Sequence, residues 1–116
     1  MGVDLTVFPI RKFNNVPIGG NKLTFHRDYD LFDFFDPNNS NCCQIYSFND
    51  TLYMCDHMSK THDAYGDELT YCYPISFAKI DMHYAPYYND ICYWNKCIIK
   101  FLTILDNSTL IVLFWH

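Results

Sequence analysis

The sequence predicts an α+β domain: a small, mostly antiparallel sheet packed on one face by a long C-terminal amphipathic helix, with a buried C-terminal strand. Three observations predict it. Val3, Leu5 and Val7 share one face of a period-two pattern, as in a half-buried strand. Ile91, Trp94, Ile98, Phe101, Leu102 and Leu105 recur at helical spacing, while Lys96, Lys100 and Thr103 take another side. The stretch 110–115 is apolar on both faces, which marks a central strand covered from both sides. With neither repeats nor a linker, residues 1–116 read as a single domain.

Each element follows from local chemistry. Residues 2–9 form the first strand, which Pro9 ends, and residues 11–22 read as a surface loop because Asn14, Asn15, Pro17, Gly19 and Gly20 crowd into it. Residues 23–26 suit a short second strand. Asp28 and Asp30 favour a helix start, and Leu31, Phe32, Phe34 and Phe35 give that helix an apolar face that must stop before Pro37. After a loop over 36–41, residues 44–48 and 52–54 form a hairpin around Asn49-Asp50. Residues 56–68 are polar and read as an exposed loop able to carry function. Residues 69–73 suit a strand up to Pro74, and 76–80 fit either a short helix capped by Ser76 or an edge strand. The amphipathic helix spans 89–105, and Asp106-Asn107-Ser108 turns the chain into the last strand.

Composition narrows the function classes. Half the residues are hydrophobic and only 18% are charged, which supplies a core and excludes the polar bias of disorder. The apolar runs 97–105 and 110–115 are shorter than the roughly 20 residues a bilayer requires, so no membrane association is expected. Asp4 stands where an export signal would carry a cation, so a cytoplasmic location is expected and the six cysteines read as thiols. Cys42 and Cys43 point apart in an extended segment, and Cys92 and Cys97 share one predicted helix at poor spacing for a bond. The net charge is −5, and the largest basic cluster is Arg11 with Lys12. That disfavours direct nucleic-acid binding and suits a partner with a basic surface.

Met1-Gly2-Val3-Asp4-Leu5, Arg27-Asp28-Tyr29-Asp30-Leu31-Phe32, Tyr65-Gly66 and the closing Val112-Leu113-Phe114-Trp115-His116 together resemble a group of short, uncharacterised proteins of bacteria and their phages. The resemblance implies a setting, a phage or prophage accessory gene, and assigns no residue a role.

Among candidate sites, Asp28, Asp30, Asp33 and Asp36 form an acidic ridge that would meet a basic surface, although Asp in the first turn of a helix also answers to the helix dipole. Tyr84, Tyr87 and Tyr88 belong to a set of ten tyrosines, more than a core of this size usually takes, and fit contact positions at an interface. Cys55, His57 and His62 are the one short cluster of metal-capable side chains; their spacing lacks the paired gaps of zinc fingers, and a fourth ligand would come from Cys72, His83 or His26. Cys55 with His57 is also the least unsuitable pair for a cysteine nucleophile. The expected function is therefore a small acidic protein-binding domain that binds and inhibits a host protein, for example a defence component, with no catalytic residue and no cofactor. The alternative is a zinc-binding or small hydrolytic domain built on the Cys55, His57 and His62 loop.

Overall fold

The fold is organised by one pair of strands, β1 (Leu5–Arg11) and β8 (Leu110–Trp115), which run antiparallel from Leu5 opposite Trp115 to Ile10 opposite Leu110. The computed structural model describes residues 2–36, 43–54, 59–83 and 90–116, with the side chains of 81–83 outside the description. Between the two strands come β2 (Asn14–Pro17), a 3-10 turn (Ile18–Gly20), β3 (Leu23–Thr24), and α1 (Tyr29–Phe32) running into a second 3-10 turn (Asp33–Phe35). Then follow β4 (Tyr46–Ser47), β5 (Leu52–Tyr53), β6 (Ser59–Lys60), β7 (Thr70–Cys72), α2 (Pro74–His83) and α3 (Tyr93–Thr103). The main sheet has the order β2-β1-β8-β7-β4, with β3 also paired to β1, and every pairing in it is antiparallel; β5 and β6 form a separate two-stranded ribbon.

Strand alternation divides the core in two. Leu5, Val7, Cys72, Ile111 and Leu113 face one side, where they meet Leu31 and Phe35, Phe77 and Ile80 of α2, and Ile98, Ile99 and Leu102 of α3. Phe35 stacks on Phe77 with ring centres 5.0 Å apart, joining the α1 segment to α2. Phe8, Ile10 and Val112 face the other side against Phe48, Leu52 and Leu69. Burying an aliphatic or aromatic side chain of this size contributes about 1.5–3 kcal/mol, so the central strands hold both layers at once. The predicted sheet and the buried, central last strand are present, but the helical layer is built from α1, α2 and α3 rather than from one long helix. α3 is 11 residues long, shorter than the span 89–105.

Pro9 does not end the first strand; it lies within β1 opposite Ile111. The reason is register. Asp4 and His116 exchange both backbone hydrogen bonds, at 2.6 and 2.9 Å, and pairs along an antiparallel ladder alternate between bonded and non-bonded. Counting along the register puts Pro9 in a non-bonded pair, so its missing N–H faces away from β8. On that edge β3 pairs at Thr6 and Val7 and β2 at Ile10 and Arg11, leaving Pro9 between them.

Two further expectations are corrected. Residues 11–22 are not simply a loop: β2 turns back on β1 through Lys12 and Phe13. Segments 44–48 and 52–54 do not pair with each other. Tyr46 pairs with Tyr71 and Leu52 with Lys60, because Asn49-Asp50 lacks the glycine of a two-residue turn and the Phe48 amide bonds instead to the Leu69 carbonyl at 2.7 Å. Residues 76–80 belong to a helix, α2, with Pro74 at its first position, where a missing N–H costs nothing.

The buried face of α3 is Asn95, Ile98, Ile99 and Leu102, while Trp94 and Phe101 are partly exposed, so the helix is rolled from the face that apolar spacing predicts. Among the described cysteines, Cys43 and Cys72 are buried and Cys92 and Cys97 exposed, none of them in a disulfide. Burial pushes the Cys72 thiol far up, with the neighbouring Cys43 adding to the shift. No helix among the described residues is long and apolar enough to cross a membrane.

Candidate functional site

Asp28 begins the site as a helix cap. Its backbone is extended and its carboxylate accepts the Leu31 amide at 3.1 Å, which fixes where α1 starts. Asp30 sits in the first turn, exposed. The chain then tightens into the 3-10 turn, and Asp33 and Asp36 come to line a cleft of about 590 Å³.

A second side of the cleft is the turn over residues 63–68, shaped by Asp63. Its Oδ1 accepts the amides of Tyr65 and Asp67 at 2.8 and 3.1 Å, and its own amide donates to the Asp67 carbonyl at 2.8 Å. Gly66, at φ 83°, takes the left-handed conformation that the turn requires. The Ala64 amide donates to the Trp115 carbonyl at 3.0 Å, anchoring the turn to β8, and the Tyr65 hydroxyl reaches the Gly2 carbonyl at 3.5 Å. Asp63, Tyr65, Asp67 and Glu68 thereby join Asp33 and Asp36 around one space.

The apolar lining comes from Phe32 and Trp115, packed edge to face at 5.7 Å, with Tyr29 edge-on to Phe32 at 6.2 Å and half exposed. Thr70 adds a hydroxyl whose oxygen is buried without a hydrogen-bond partner among the described residues. Five carboxylates and four aromatic rings line the cleft, and no lysine or arginine is among the described lining residues. The carboxylates favour a positive charge, the ring faces attract a cation and cover an aliphatic stem, and the volume is that of a ligand-sized pocket.

The acidic ridge expected from sequence is thus divided: Asp28 is spent on its helix, Asp30 lies off the cleft, and Asp33 and Asp36 face it. Tyr84, Tyr87 and Tyr88 lie outside the described residues, as do Cys55 and His57 of the alternative site. His62 is exposed, and its Nδ1 is 2.8 Å from the Thr61 hydroxyl; it lines a smaller cleft of about 350 Å³ with Asp50 and Glu68. Of the suggested fourth ligands, Cys72 is sealed in the helix-side core, His26 packs against Trp94, and the His83 side chain is outside the description.

Sequence reasoning missed Asp63, Tyr65, Asp67, Glu68, Tyr29 and Trp115. The available signal was the run Asp63-Ala-Tyr-Gly66-Asp67, an aspartate followed by a glycine turn, inside the loop already marked as able to carry function. Comparison with protein-family models, with curated proteins and with solved structures finds no match, so the functional reading rests on the cleft itself.

Proposed function

We propose that the protein acts by binding another protein, and that a basic side chain of the partner enters the acidic, aromatic cleft. The observation that carries this reading is the meeting of Asp33 and Asp36 with Asp63, Asp67 and Glu68 around the rings of Tyr29, Phe32, Tyr65 and Trp115. The carboxylates steer and orient the cation, and the rings exclude water from its stem, so attraction and burial act on the same group. The net charge of −5 extends that field beyond the cleft and suits a partner whose surface is basic. In this reading the protein inhibits its partner by covering that surface, and the resemblance to bacterial and phage proteins supports a host protein as the partner.

The test is calorimetric titration with a hexa-arginine peptide, comparing Asp67→Asn with Asp90→Asn. Both variants lose one exposed carboxylate, but Asp90 is not part of the cleft lining. Asp67→Asn should weaken binding about fivefold more than Asp90→Asn, and Tyr65→Ala should weaken it at low and high salt alike. Equal losses in the two Asp variants would remove the cleft from the mechanism.

A further inference from the structure

Cys92 is the N-cap residue of α3, and its sulfur lies 3.9 Å from Nδ1 of His26. Both residues are exposed. The imidazole does not sit there by chance of rotamer alone. Asn95, one turn into α3, accepts the His26 amide at 2.8 Å and donates to the His26 carbonyl at 2.9 Å. Trp94 stacks on the imidazole at 6.0 Å while its indole N–H donates to the Thr24 carbonyl at 2.9 Å. Backbone and ring are therefore both held against the start of the helix. No acidic side chain occupies the first turn of α3, and the Cys92 side chain makes no capping bond to the helix, so the sulfur is committed to neither. Cys97, on the same helix, is exposed as well, but no contact with a histidine is seen there among the described residues.

We propose that Cys92 and His26 form a nucleophilic thiol site that accepts low-molecular-weight disulfides and becomes S-thiolated. The Cys92 thiol gives its proton to Nδ1 of His26. The thiolate attacks one sulfur of the small disulfide; a bond forms between Cys92 Sγ and that sulfur, and the original sulfur–sulfur bond breaks. The second half of the reagent leaves as a thiolate and takes the proton back from His26. Cys92 is oxidised to a mixed disulfide, and the reagent is reduced to one free thiol. A basic group within reach and an exposed sulfur are the features that separate reactive cysteines from structural ones such as the buried Cys43 and Cys72. The site shares no residue with the acidic cleft and stands independently of it.

The experiment incubates the intact protein with glutathione disulfide, quenches by acid and maps modified peptides by mass spectrometry over time. Cys92 should be thiolated about tenfold faster than Cys97 in the wild-type protein, and His26→Gln should bring Cys92 to the Cys97 rate while leaving Cys97 unchanged. The comparison of Cys92 with Cys97 needs no variant, and a thermal melt checks that His26→Gln is folded. Equal rates at the two cysteines in wild type, or a folded His26→Gln in which Cys92 keeps its advantage, would overturn the proposal.

Discussion

Asn95 holds the His26 peptide at both ends, its side-chain oxygen on the amide and its side-chain nitrogen on the carbonyl, and it is fully buried while doing so. This exchange ties α3 to the segment leaving β3. Replacing Asn95 by Ala leaves two main-chain groups of His26 without their partner. Both bonds are part-buried, with Asn95 buried and His26 exposed, so the expected loss is about 1–2 kcal/mol in urea denaturation. A loss under half of that would mean that water replaces the amide freely.

Phe13 presents the opposite balance. At the tip of the β1–β2 turn it is 95% exposed and has φ 67°, with the Lys12 ammonium 5.4 Å from its ring centre. A left-handed conformation costs an L-residue about 1–2 kcal/mol, and a solvated ring returns little of it. Phe13→Gly is expected to raise stability by about 1 kcal/mol, after the entropy that glycine loses on folding is subtracted. The same urea titration checks it, and a destabilised variant would show that the Lys12–Phe13 contact outweighs the backbone cost.

Acid should weaken the fold through surface aspartates. The Asp4 carboxyl is held below its ordinary range by the bidentate hydrogen bonds of Arg27, Asp50 by Asn15 and the Thr51 amide, and Asp106 by the hydroxyl and amide of Ser108. Each folded value lies below the unfolded one, so the contribution is full above the ordinary carboxyl value and is lost as pH falls through the folded values. Melting temperature should therefore hold steady down to about pH 4 and drop below it. Asp50 and Asp106 are exposed and Asp4 is half-buried beside an exposed arginine, so each share is small. Asp4→Asn should lower the melting temperature at about pH 6, and its difference from wild type should shrink as acid protonates Asp4, as read at about pH 6 and again at about pH 3. A variant equally displaced at both would place the effect in packing.

Much of the scaffold was legible in the chain because it is written in short periods. The alternation of Leu5 and Val7 and the unbroken run from Leu110 to Trp115 each report a local environment, and both strands are present, although Val3, expected on the same face, is exposed and precedes β1. What failed needed partners far along the sequence. Pro9 reads as a stop until the ladder with β8 shows which edge its nitrogen faces. Segment 44–54 reads as a hairpin until Tyr71 and Lys60 claim its two halves. The face of α3 is set by Asn95, a polar residue that hydrophobic spacing leaves out. The cleft was half visible: Asp33 and Asp36 come from the marked ridge, but Asp63, Asp67, Glu68 and Trp115 arrive from two other parts of the chain, and nothing local predicts that they converge.

The pairing of β1 with β8 also has a kinetic meaning. Thr6 and His116, joined by a 2.8 Å side-chain hydrogen bond, are 110 positions apart, and the ladder they belong to is the middle of the sheet. Loop-closure entropy must be met before that ladder can reward it, so folding belongs with the slower, non-local topologies, in the range of about milliseconds to seconds. Until β8 arrives, β1 and β7 each keep a bare edge toward its place and both core layers lack their shared wall. A chain that has not yet placed β8 therefore carries aromatic surface uncovered, and such surface is prone to aggregate before the fold closes.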